Sequence, residues 1–194
     1  EYLEKDLRIS RQVFNRNKVG SFRCSQRGVE AIAFPYYQRR GQTYPVLVSY
    51  HKPSRYPDLV WQKRLSGEMF AYGSLDLWND DATLRKYVFV IVTEGELNKL
   101  SIEEALEDTK HVAVLAVHQQ GCRCLGNGVR EALRDAHMVL LATGRVSMDS
   151  LLAREIGHAR VRRVEFADRE DAKDVLRFRG PEALRKVLLT GVGV

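Results

Sequence analysis

An α/β architecture is predicted for this 194-residue chain: a mainly parallel sheet flanked by helices, preceded by a small basic β-containing region. Three observations predict it. The continuous apolar run Val88-Phe89-Val90-Ile91-Val92 stops on Thr93-Glu94-Gly95-Glu96, the pattern of a strand buried on both faces. From there to the end, short apolar runs alternate with stretches of helical period, which implies right-handed crossovers between parallel strands. Ahead of them the pattern is instead hairpin-like, rich in proline, aromatics and cations. The expected division is residues 1–80 and 81–194.

Taken in order, Tyr2, Leu3, Leu7, Ile9, Val13 and Phe14 recur at roughly helical spacing, with Ser10 a good N-cap for a second short helix. Residues 29–37 and 43–50 read as two strands around a Gln38-Arg39-Arg40-Gly41 turn. Residues 52–67 read as loop, with a short strand near Leu59–Trp61, and 68–77 as a turn and short segment. Strands follow at 88–93, 112–117, 138–142 and 160–166. Helices are expected at 97–107, 129–136, 147–156 and 181–189, the last opened by Pro181. Residues 167–180 read as loop.

Hydrophobic residues make up 44% of the chain, enough for a core, and no apolar run approaches a membrane span. Cys24, Cys122 and Cys124 are too few and too odd in number for a disulfide framework. Cys122, Cys124 and His118 share one loop but lack a fourth ligand at zinc-site spacing, so a pair of loop thiols is the plainer reading. No targeting segment and no phosphate-loop motif is visible in these residues.

The net charge of +6 is unevenly placed. Residues 1–87 hold 15 Lys and Arg against 9 Asp and Glu, whereas residues 88–194 hold 16 of each. Between Arg11 and Arg55 the only acid is Glu30. That surplus points to a polyanion, and Arg16, Lys18, Arg23, Arg27, Arg39, Arg40, Lys52 and Arg55 are the candidate nucleic-acid contacts. Phe34, Tyr36, Tyr37, Tyr44, Tyr50, Tyr56 and Trp61 are interleaved with these cations, as stacking on single-stranded bases requires. Strand alternation assigns about half of them to the core.

Glu94 and Glu96 close the first buried strand, where open α/β sheets place their ligands. A Mg²⁺ site for nucleotide chemistry needs further carboxylates from a neighbouring strand. The strand placed to give them, 138–142, ends instead on Thr143-Gly144-Arg145.

The order of motifs resembles the TOPRIM domain of primases, and more closely the primase half of the bifunctional primase-helicases of phage and mitochondria, the Twinkle type. The resemblance rests on Ala33-Phe34-Pro35-Tyr36-Tyr37, on Met69 to Leu75 with Gly73, and on Thr93-Glu94-Gly95-Glu96-Leu97-Asn98. It extends to Arg169-Glu170-Asp171-Ala172-Lys173-Asp174-Val175-Leu176 and Gly180-Pro181-Glu182-Ala183-Leu184. It implies a TOPRIM-like sheet, and it makes Glu94, Glu96, the position of Arg145, and Asp171 vestiges of a catalytic site. In the family, aspartates stand where this chain has Thr143-Gly144-Arg145, and Asn98 replaces another. An Asp-to-Arg change swings the local charge by two units, worth several kcal/mol at about 4–6 Å in a partly dry site. The expectation is therefore no metal, with Arg145 paired to Glu94, and no confident catalytic residue.

The resemblance further implies a mitochondrial setting, in organellar DNA maintenance or in a large RNA–protein assembly such as the mitochondrial ribosome. Single-stranded DNA or structured RNA is the expected partner, with other proteins of such an assembly and no membrane. The alternative is an active, Mg²⁺-dependent DNA primase making RNA primers with Glu94, Glu96, Asp149, Asp171 or Asp174. Asp149 falls four residues beyond Arg145, inside a helix, which counts against its reaching a metal. A third reading is a protein-binding module whose basic face meets acidic partners.

Overall fold

The computed structural model describes residues 2–24, 29–36, 47–51, 61–62, 71–73, 89–107, 109, 111–117, 130, 133–134, 136–144 and 146–191. Among them, two sheets form. The first is antiparallel, in the order β1 (Gly20–Cys24), β2 (Val29–Tyr36), β3 (Leu47–His51), β4 (Trp61–Gln62). The second has the order β5 (Ala71–Tyr72), β7 (Val112–Val117), β6 (Phe89–Glu94), β8 (Met138–Ala142), β9 (Val161–Arg163). Within it, β7, β6, β8 and β9 run parallel, and β5 is antiparallel at the β7 edge.

Alternation along the central strands explains the layers. Ile91, Val114, Ala116, Leu140 and Ala142 point to one face, with α2 (Glu96–Ala105), α4 (Ala172–Arg179), α5 (Pro181–Thr190) and the amino-terminal residues packed on it. Val90, Val92, Ala113, Leu115, Val117, Val139 and Leu141 point to the other, against Leu133 and against Leu152 and Ile156 of α3 (Val146–Ile156). Nearly every residue of these strands is buried, which is why they read as unbroken apolar runs.

The chain begins with a short π-helical turn, Tyr2–Asp6, followed by α1 (Arg11–Arg16). Ser10 caps α1 as expected, its hydroxyl accepting from the Val13 N–H at 3.4 Å. Leu7, Ile9 and Val13 are almost wholly buried in the same cluster as Ile91 and Leu100. Phe34 and Tyr36 also enter that cluster, both with Tyr72 of β5: the Phe34 and Tyr72 rings meet edge-on at 5.6 Å, the Tyr36 and Tyr72 rings at 5.2 Å.

Three local expectations change. Residues 20–24 form a strand, although a five-residue segment opened by glycine carries little sequence signal. Residues 172–179, expected as loop, form α4, which Asp171 caps and Val175 and Leu176 anchor. The strand expected over 160–166 spans only Val161–Arg163. Before it, His158–Arg160 forms a 3₁₀ turn that the Arg160 guanidinium fastens to the carbonyls of Arg134, Ala136 and Ile156. The loop with His118, Cys122 and Cys124 lies outside the described residues.

Candidate functional site

The topology fixes where a ligand crevice must lie. From β6 the chain crosses by α2 on one face to β7, whereas from β8 it crosses by α3 on the other face to β9. The loops leaving β6 and β8 diverge, so the switch point opens between the carboxyl ends of these two strands. Thr93 and Ala142 are paired across them, and the buried Thr93 hydroxyl donates to the Ala142 carbonyl at 2.9 Å. Glu94 and Gly95 follow on one side, Thr143 and Gly144 on the other. Gly95 and Gly144 both have positive φ, +82° and +69°, so both strands end in turns that glycine favours.

The acids around this crevice are bonded to the protein itself. Glu94 is half-buried and partnered. Glu96, which begins α2, is buried and accepts a 2.7 Å hydrogen bond from the Tyr36 hydroxyl, so it faces β2 of the other sheet. Burial and the Glu96 charge hold the Tyr36 phenol well above its ordinary range. Asp149 sits inside α3, as its spacing predicts, and is 4% exposed. Its Oδ1 accepts from the Thr143 hydroxyl at 2.6 Å, and its Oδ2 from Arg163 Nε at 2.6 Å.

Asn98 joins both sides of this arrangement. Its amide nitrogen donates to the Glu94 carbonyl at 2.9 Å and to Asp171 Oδ2 at 3.3 Å, while its Oδ1 accepts from the Lys173 N–H at 2.9 Å. An aspartate here could accept from Lys173 but would set a carboxylate against a carbonyl oxygen and another carboxylate. Asp171 in turn caps α4, accepting from the Asp174 N–H at 2.9 Å, with Lys173 Nζ 3.3 Å from its Oδ2. Partial burial and the neighbouring Asp171 charge raise the Asp174 carboxyl above its ordinary value.

Among the described residues, the groups of this donor set are committed to bonds within the protein. Residues 143–145, which follow β8, carry no carboxylate, and the one that reaches Thr143 is Asp149 from α3. Both oxygens of Asp149 are bonded, and Asn98 presents a neutral amide. Among the described residues no three His, Cys, Asp or Glu side chains converge. Arg145 lies outside the described residues, and with it the expected pairing to Glu94.

Of the candidate nucleic-acid contacts, Arg16 lies on α1 with its guanidinium 3.7 Å from the buried Glu103 carboxylate. Lys18 is exposed at a positive φ of 53°. Arg23 is 76% exposed and meets an equally open Glu30 at 3.6 Å, a pairing worth little. Arg27, Arg39, Arg40, Lys52 and Arg55 lie outside the described residues. Phe34 and Tyr36 face the core, so neither can stack on a base.

Sequence reasoning missed a buried polar cluster behind the crevice. Lys99 is fully buried, its ammonium 2.5 Å from Glu103 Oε1 and also donating to Asn17 Oδ1. Asn17 donates to Glu103 Oε2 at 2.5 Å, and the Tyr72 hydroxyl donates to the Asn17 carbonyl at 2.9 Å. The i,i+4 spacing of Lys99 and Glu103 was the visible signal, but such pairs ordinarily lie on a solvated face. A cleft of about 230 Å³ lined by Arg16, Glu103, Glu107 and Thr109 opens beside this cluster, at the amino-terminal end of β7.

Sheet order, flanking helices and the β6–β8 crevice together define the fold of primase catalytic cores, a TOPRIM-like α/β fold. The primase fragment of the bacteriophage T7 primase-helicase superposes with a TM-score of 0.64 at 14% identity, covering 95% of this chain and 71% of that one. The Aquifex aeolicus primase, with its zinc-binding and RNA polymerase domains, gives 0.68 at 15% identity over 97% of this chain, which spans 54% of its length. A DnaG primase catalytic domain bound to single-stranded DNA gives 0.65 at 15% identity, covering 97% and 72%. No family model and no curated protein matches the chain.

Proposed function

We propose that this chain is a non-catalytic, TOPRIM-like nucleic-acid-binding or scaffold protein derived from a mitochondrial primase-helicase. It acts in organellar DNA maintenance or within a large organellar RNA–protein assembly such as the mitochondrial ribosome. The observation that carries the non-catalytic reading is Asn98. Its neutral amide uses donor and acceptor together to tie the Glu94 carbonyl to Asp171 and Lys173, a bracket that a carboxylate at this position could not make. The bonding of Asp149 to Thr143 and Arg163 supports it from the other strand. The cation surplus between Arg11 and Arg55 supports a nucleic-acid partner, single-stranded DNA or structured RNA. The mitochondrial assignment rests on the motif resemblance.

The test is primer synthesis on a single-stranded template with ribonucleotides and Mg²⁺ or Mn²⁺. The expected result is no product above that of Glu94→Gln. Template-dependent primers that Glu94→Gln abolishes would establish the second reading, a working primase, which the likeness to primase cores favours. Binding to a single strand should meanwhile weaken steeply with salt, and neutralising Arg39 and Arg40 should flatten that slope.

A further inference from the structure

The largest exposed apolar side chain among the described residues is Phe178, 68% exposed near the carboxyl end of α4. The inner face of α4 is anchored by Ala172, Val175 and Leu176, so Phe178 contributes nothing to that core. One cation lies over its ring and two others stand beside its neighbours in the chain. The Arg177 guanidinium lies 5.2 Å from the ring centroid, within cation–π range. Arg179 follows directly, its charge shared with Glu170 at 3.2 Å. Arg8 reaches in from the amino-terminal arm, its Nη1 3.9 Å from where a Cβ on Gly180 would stand. Among the described residues no carboxylate pairs with Arg8 or Arg177.

We infer that Phe178, with Arg177 over its ring and Arg179 and Arg8 beside its chain neighbours, is a stacking platform for a base of a single-stranded nucleic acid, whose phosphates the guanidiniums meet. The inference rests on the nucleic-acid reading above and adds a contact outside the basic region 11–55. An exposed aromatic ring with one guanidinium over it and two more beside its chain neighbours matches the chemistry of single-strand binding, in which sequence-tolerant stacking is combined with backbone charge. An apolar protein surface would have to desolvate all three. The position suits a strand leaving the crevice. Asp171 opens α4 beside Asn98, and seven residues of helix carry the chain about 10 Å to Phe178.

The test uses the full protein, a short fluorescein-labelled single strand, and the same strand carrying 5-bromouracil for photo-crosslinking. Phe178→Ala should keep the wild-type melting temperature and lose roughly ten-fold in affinity, the value of one stacked base, with an unchanged salt slope. Arg177→Ala should lower that slope by about one. Crosslinks should map to Phe178. Wild-type binding that is indifferent to Phe178→Ala, with crosslinks confined to residues 11–55, overturns the platform alone, and leaves a protein partner as the occupant of this patch. Absence of any strand binding at low salt overturns both the platform and the reading it rests on.

Discussion

At Asn98 a single amide decides which groups can be bonded. Its amide nitrogen donates to two oxygens, and a carboxylate at that position would repel both. Asn98→Asp should therefore lower stability by about 1–3 kcal/mol at neutral pH, the cost of leaving buried acceptors unpaired. Urea unfolding would measure it, and an unchanged midpoint would contradict the bracket. Tyr36 gives a second test, because its phenol is the donor to buried Glu96. Tyr36→Phe should cost a similar amount below pH 10. Since the folded phenol titrates well above its ordinary 10.0, its contribution is complete below that pH and is lost as pH rises toward the folded value. The gap between wild type and Tyr36→Phe should accordingly shrink in alkaline melts. Asp174 has the same sign for a different reason. Its carboxyl is raised, so its ionised form burdens the fold, and Asp174→Asn should stabilise at pH 7 but not below the ordinary 3.8.

At the scale of elements, α2 is held by polar groups as much as by apolar ones. Lys99 and Glu103 are buried on the same face as Leu100 and Ile102, and Asn17 and Tyr72 complete their bonds. Breaking such a pair leaves an uncompensated charge, so Lys99→Met should cost about 3–5 kcal/mol. The double variant Lys99→Met/Glu103→Leu should recover much of that loss, and strictly additive losses in a double-mutant cycle would refute the coupling. The turn after β5 is cut to fit this lysine. At Gly73, φ is +91°, and a Cβ would stand 2.4 Å from Lys99 Cε and 3.0 Å from the Val114 carbonyl. Gly73→Ala should thus cost more than about 1 kcal/mol, through both backbone and clash.

Across the whole molecule, residues far apart in sequence share one core. Leu7, Ile9 and Val13 of the amino-terminal arm, Phe34 and Tyr36 of the first sheet, and Leu184 and Leu188 of α5 belong to the same cluster. The arm should therefore melt with the sheet. Leu7→Ala, at a site with no exposure, should cost about 2–5 kcal/mol and shift a single cooperative transition. A separate early transition in calorimetry would show the arm to be independent. Charge is also distributed at this scale. The carboxyl-terminal half is neutral overall, yet Arg177 and Arg179 lie just before Gly180, which Arg8 approaches from the other end of the chain.

What the sequence determined by itself is the part governed by local periodicity. The runs 112–117 and 138–142 are strands at those bounds, and Ser10 caps α1, because burial on both faces and a short side-chain acceptor leave marks within a few residues. The end of β6, one residue beyond the expected 93, and the lack of an acid at 143–145 were legible for the same reason. Only the tertiary structure decided what those residues touch. That Glu96 turns to Tyr36, Asp149 to Arg163, Asn98 to Asp171, and Lys99 to Asn17 depends on partners 14 to 82 positions away. A buried polar group takes its partner from whatever packing brings within hydrogen-bond reach, and no spacing along one element records that choice.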